Sequence, residues 1–228
     1  MPLHAEERIQ EFVNGHIHGW EGLRSGGAFV GRHLPVITVS MEPGSDGSQI
    51  AKLLADWFGF DYFHRELLEV VASDAKVSSK VIEKLEKDRL SGIQDLISQI
   101  MDTRYLHTEV YQEHLEKIVR TIGRRGYGVI VGRGANFILP PEERLAVRIV
   151  APEEHRIKRI SKTFSVLPED AQKRIRNREE KRALFIKKTF KHNIGSPAHY
   201  DLLVNTGMLT RDAAARLICT AWLLKFFK

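Results

Sequence analysis

The sequence predicts an α/β fold in which a parallel sheet is covered by helices on both faces. Two observations carry that expectation. Short β-branched runs alternate with amphipathic helical stretches along the chain, and the strand-like runs tend to end in glycine-containing turns. The composition agrees: of 228 residues, 43% are hydrophobic and 28% charged, which excludes a disordered or collagen-like chain. One cysteine, Cys219, excludes an internal disulfide framework and fits a reducing compartment, so a cytoplasmic location is expected. MPLHAEERIQ lacks the apolar core of a signal peptide, no apolar run approaches a membrane span, and no membrane association is expected.

The elements follow in order. Residues 1–35 read as an N-terminal extension with weak helical periodicity at Ile9, Phe12, Val13 and Ile17, closed by the joint Arg24-Ser25-Gly26-Gly27. His16 and His18, two apart, diverge on a helix and are read as surface residues rather than metal ligands. Val36 to Ser40 is the first strand, MEPGSDGS the turn after it, and QIAKLLADWFGF a helix with Ile50, Leu53, Leu54 and Trp57 on one face. FDYF (60–63) is a second short strand leading into RELLEVVASDA. From about 74 to 122 the pattern is polar and helical. Its two apolar stripes are Ile93, Leu96, Ile97 and Ile100, then Leu115, Ile118, Val119 and Ile122.

Strands are expected again at 129–131, 145–150 and 202–205, with helices at EEHRIKRISKTF, from Pro168 onward, and from Arg211 to the end. The apolar stretch 221–227 is too short to cross a bilayer. It is expected to pack on the domain or the N-terminal extension, with a homodimer contact as the second reading.

Ligands of open parallel sheets gather at the carboxyl ends of the strands, and three polar clusters fall there. In the loop Met41 to Gln49, backbone N–H groups before a helix suit phosphate, and the Ser48 hydroxyl suits a Mg²⁺ shell. The pattern G-x-x-x-x-G-K-[ST] is not met, since no lysine follows Gly47, and a tight strand–helix connection is the plain alternative. Gly132-Arg133-Gly134 with Asn136 places an arginine at a strand end, suited to clamp an anion or to make a surface ion pair. Arg174, Arg178, Lys181 and Arg182 share a helical face that is either a solvated surface or a movable cationic lid.

Taken together, ITVSMEPGSDGSQIAKLLADWFGFDYFHRELL, VIVGRGANFIL and REEKRALFIKKTFKHN…SPAHYDLLVNTGMLTRDAAARLI resemble the cytidylate kinase-like family, relatives of the P-loop nucleoside monophosphate kinases. The resemblance covers 36–228 as one domain. It implies a P-loop kinase-like three-layer fold with a five-stranded parallel sheet, a helical substrate-side insertion at about 74–122 and a lid at about 172–195. It further implies phosphoryl transfer from ATP, with Mg²⁺, to a nucleoside monophosphate such as CMP or dCMP.

Residue by residue, the resemblance assigns Gly44, Ser45, Asp46, Gly47, Ser48 and Gln49 to the ATP phosphates, with Ser48 at the metal. Arg65, Arg133 and Asn136 fall to the acceptor, and Arg133, Arg178 and Arg182 to catalysis, with Lys181 as a helper. The partners so implied are nucleotides. The net charge of +6 (35 basic against 29 acidic residues) accompanies no nucleic-acid reader motif, and no nucleic acid is expected.

This chain departs from the family pattern S-R-E-F-G-S-G-G-R-E. Met41 and Ser48 stand at basic positions, Asp46 stands at a glycine, and His64 replaces an aspartate. A carboxylate in an anion cradle repels phosphate unless it turns outward or binds metal. The alternative reading is therefore a catalytically weak or inactive kinase-like protein that binds a nucleotide or phosphorylated ligand as a sensor or interaction module.

Overall fold

The structure is a computed structural model and describes residues 33–64 and 108–227. Five strands, β1 (Val36–Met41), β2 (Asp61–Phe63), β3 (Gly128–Val131), β4 (Arg144–Val150) and β5 (Leu202–Asn205), form one sheet. The order is β2-β3-β1-β4-β5 and every described pairing is parallel. Register is set along β1, where Ile37 pairs with Val129 on one side and Leu145 on the other.

The helices are α1 (Gly47–Phe58), α2 (Thr108–Arg125), α3 (Ala135–Ile138), α4 (Glu153–Phe164), α5 (Pro168–Phe190) and α6 (Arg211–Phe226). Strand pleating sorts the core into two layers. Ile37, Val39, Val129, Val131, Val147 and Ile149 meet α1 and α6, whereas Val36 and Ile130 face α2 and α3. This is why the strands read as continuous apolar runs: both faces are buried. Ile160 of α4 packs with Ala171 and Ile175 of α5 in a third, smaller cluster.

The observed strand boundaries sit within one residue of the expected ones. α1 stops where Gly59 takes the left-handed conformation (φ 62°), its N–H reaching the Ala55 and Asp56 carbonyls. α6 begins at Arg211 because the Thr210 hydroxyl accepts from the Ala213 N–H at 3.1 Å. The short helix α3 escaped the sequence reading, since four residues carry no periodicity.

The apolar C-terminal stretch packs on the domain. Trp222 is fully buried among Phe58, Phe60, Phe226 and Phe227, and its indole N–H donates to the Pro35 carbonyl at 2.8 Å. The 93–100 stripe, the His16/His18 pair and Arg65 lie outside the described residues. Among the described residues, no helix is long and apolar enough to cross a membrane.

Candidate active site at the carboxyl ends of β1 and β3

β1 is central, and the chain crosses from its β3 side to its β4 side, which opens a crevice beyond the strand ends. A cavity of about 800 Å³ lies there. Ser40, Met41 and Ser48 line it from the β1–α1 region, Val131 to Gly134 with Asn136 and Phe137 from the β3–α3 turn, and Arg178, Lys181, Arg182 and Phe185 from α5. Four cations thus face one cavity, and among the described residues no Asp or Glu lines it.

The Gly132-Arg133-Gly134 turn runs through three successive left-handed residues, at φ 76°, 53° and 70°. For the glycines that conformation is free, whereas for Arg133 it is strained, so the surroundings must hold it. A Cβ on Gly134 would overlap the Phe190 ring, which is why that position admits no side chain. Arg133 lies over the Phe185 ring at 5.4 Å, a contact that directs its guanidinium across the cavity wall. Asn136 is buried at the start of α3, lines the same cavity, and its amide nitrogen has no hydrogen-bond partner among the described residues. A buried donor left unpaired is costly.

α5 brings the other cations. The Arg182 guanidinium donates to the Met41 carbonyl at 2.6 Å. Arg178, which also lines the cavity, lies 5.8 Å from the Phe164 ring centroid. Beneath the loop runs an ion network: Glu42 accepts from the Ala151 N–H at 3.2 Å and faces Arg156 at 3.5 Å and Arg148 at 3.8 Å. Arg156 then reaches Glu179 of α5 at 2.6 Å, and Arg148 donates to the Ser40 hydroxyl at 2.8 Å. Sequence reading did not single out Arg148 or Arg156. Their signal was an arginine within a buried strand and another that falls inward on α4, three residues before Arg159.

The loop residues divide. Gly44 adopts φ 85° and lies against the Arg156 backbone, so close an approach that a Cβ would collide. Ser45 is fully buried and its hydroxyl donates to the Glu42 and Ile149 carbonyls, which makes it a strut of the loop. Asp46 turns away from the cavity onto Arg159 and Arg211, resolving the repulsion that its charge would otherwise impose. Gly47 is covered by the Met41 side chain, whose sulfur also accepts from the Ser48 hydroxyl at 3.5 Å. Ser48 is the residue of the Gly44–Gln49 segment that lines the cavity, while Gln49 is exposed. Lys52, one turn further on, pairs with Asp56 at 2.6 Å on the exposed side of α1.

Comparison with known proteins agrees with this architecture. The chain is 25% identical over 185 residues to a cytidylate kinase of Ignicoccus hospitalis, covering 81% of this chain and 97% of that protein. It is 21% identical over 195 residues to a cytidylate kinase of Methanopyrus kandleri, covering 82% and 92%. Among solved structures, an uncharacterized protein from Eubacterium ventriosum superposes with a TM-score of 0.62 at 18% identity, over 82% of this chain and 96% of that one. Residues 36–208 match the family described as cytidylate kinase-like. With its all-parallel five-stranded sheet and this match over most of its length, the chain belongs to the cytidylate kinase-like family and has the P-loop kinase-like α/β fold.

Proposed function

We propose that the protein is a phosphotransferase that moves a phosphoryl group from ATP to a nucleoside monophosphate of the CMP or dCMP type. The observation that carries the reading is the convergence of Arg133, Arg178, Lys181 and Arg182 on one cavity at the ends of β1 and β3. Phosphoryl transfer spreads charge over equatorial oxygens, and catalysis rests on positioning and on cations aimed at that charge. Arg133, fixed by its turn and by Phe185, would clamp the acceptor phosphate, and the Asn136 amide would donate to the acceptor. Arg178 and Arg182, on a helix face opposite, would follow the transferred group. An acceptor phosphate is already ionised at neutral pH and presents its own nucleophilic oxygen.

Mg²⁺ carried with ATP would supply charge neutralisation between phosphate oxygens. The donor set fits a loosely held ion: the Ser48 hydroxyl faces the cavity, whereas the Asp46 carboxylate is taken by two arginines. The remaining ligands would be phosphate oxygens and water.

A second reading is favoured by one observation, the Met41 side chain over Gly47. It makes the protein a weak or silent relative that binds a phosphorylated ligand without turnover. A coupled ADP-release assay with ATP, Mg²⁺ and each common nucleoside monophosphate separates the two. Turnover with a cytidine monophosphate, lost in Arg133→Ala, supports the kinase. Absence of turnover above that variant, together with nucleotide-dependent thermal stabilisation, supports the second reading.

A further inference from the structure

Ser40, the penultimate residue of β1, shares the pleat of Val36, so its side chain emerges on the sheet face covered by α2 and α3. It lines the cavity together with Gly132, Arg133 and Asn136, and the Gly132 N–H donates to the Val39 carbonyl at 2.9 Å, which keeps the two strand ends side by side. The Ser40 hydroxyl is held from behind. Arg148, its register partner on β4, is 8% exposed and donates through Nη1 to the Ser40 Oγ at 2.8 Å. A guanidinium can only donate, so this contact leaves the Ser40 proton unused. The Tyr200 hydroxyl lies 3.4 Å from the same Oγ, but it has a single proton, and the Ile194 carbonyl takes that at 2.8 Å. The Ser40 proton therefore faces an acceptor beyond the ordinary O–H···O range of about 2.5–3.0 Å, and among the described residues no closer one takes it. Arg148 does not itself line the cavity, and its charge meets Glu42 at 3.8 Å. What reaches the cavity is the hydroxyl that it polarises.

We propose that the Ser40 hydroxyl, backed by Arg148, donates a hydrogen bond to a phosphate oxygen of the monophosphate that Arg133 clamps, with Arg148 and Tyr200 as positioning residues. The inference rests on the reading of the protein as a phosphotransferase acting on a nucleoside monophosphate. Before the ligand binds, the long contact with Tyr200 keeps the proton turned aside. An ionised phosphate oxygen is the stronger acceptor and draws it into the cavity. Ser40 keeps its proton throughout, and no group is transferred to it. The hydroxyl adds direction where the cations add charge: Arg178 and Arg182 ride on α5, whereas Ser40 stands on the central strand beside the Arg133 turn.

The test is isothermal titration of the full chain with CMP, with inorganic phosphate and with cytidine, in the absence of ATP. Ser40→Ala should weaken binding of CMP and of phosphate about tenfold and leave cytidine within about twofold, because cytidine lacks the phosphate. Tyr200→Phe adds a readout that a merely structural role would not move. It removes the rival acceptor of the Ser40 proton and the bond to Ile194, so the melting temperature should fall while CMP binds at least as tightly as to the parent protein. Thermal melting of Ser40→Ala checks that it is folded. Unchanged CMP binding in Ser40→Ala, an equal loss for CMP and cytidine, weaker CMP binding in Tyr200→Phe, or a parent protein that binds neither CMP nor phosphate overturns the inference. Phosphate binding lost with Ser40 in a protein without turnover would leave the inference standing and the kinase reading rejected. Turnover of CMP by a Ser40→Ala variant of unchanged CMP affinity would do the reverse.

Discussion

Arg182 donates to the backbone carbonyl of Met41 at 2.6 Å, fastening α5 to the end of the central strand. One turn earlier Glu179 takes the Arg156 guanidinium, also at 2.6 Å, so α5 is held against the loop at two points. Glu179→Ala removes one of them. Because Glu179 is partly exposed and Arg156 keeps Glu42 nearby, the cost should be about 1 kcal/mol in urea unfolding. Amides of α5 should exchange faster than those of α1, and unchanged α5 exchange would show that this contact does not fasten the helix.

Arg133 carries backbone strain at the candidate site. At φ 53°, glycine would be more comfortable, by about 1 kcal/mol, while the contact with Phe185 is worth about the same in the other direction. Arg133→Gly should therefore melt near the parent temperature and lose about 10³-fold in turnover. A variant that unfolds would mean that the arginine holds the turn.

Asn136 separates binding from folding in a different way. Its amide nitrogen is buried without a partner, so Asn136→Ala removes an unsatisfied group and should change stability by less than about 1 kcal/mol. The KM for the acceptor should rise about tenfold, with the KM for ATP unchanged. A destabilisation of about 3 kcal/mol would place Asn136 in the core instead.

The one cysteine gives a pH signature. Burial pushes the Cys219 thiol up to about 11 from 9.0, against a smaller opposing pull from Arg216. A group whose pKa is raised on folding stabilises the native state below its unfolded pKa and loses that contribution as pH climbs through the folded value. Stability should accordingly decline between about pH 9 and 11, and Cys219→Ala should flatten that decline. At pH 8 the native thiol should react with a disulfide reagent only through unfolding, and rapid native labelling would contradict its burial.

Much of the fold was legible because parallel strands buried on both faces are largely apolar, as GVIV is and as VITVSM is apart from Thr38 and Ser40. The stripe Leu115, Ile118, Val119 and Ile122 was legible for the same reason: its spacing is a helix face, and all four are buried. At the site, Arg133 could be found from its glycine neighbours, and Arg178 and Arg182 from their spacing. Arg159 and Arg211 could not, because their partner Asp46 lies 113 and 165 residues away along the chain and no local pattern joins them. The inward Ser45 hydroxyl was hidden likewise. Its acceptors, the Glu42 and Ile149 carbonyls, belong to the backbone and carry no residue-type signal.

The hydrogen bond from Trp222 to Pro35 spans 187 residues, and it bears on how the protein is made. Trp222 fills the layer between the sheet and α1, so that layer stays open until α6 has been synthesised and has left the ribosome. The helices and strands can form during translation, but the core that fixes their arrangement cannot close before α6 has emerged. During that interval the faces of β1 and α1 stand exposed, and a chain cut short within α6 would remain in that aggregation-prone state.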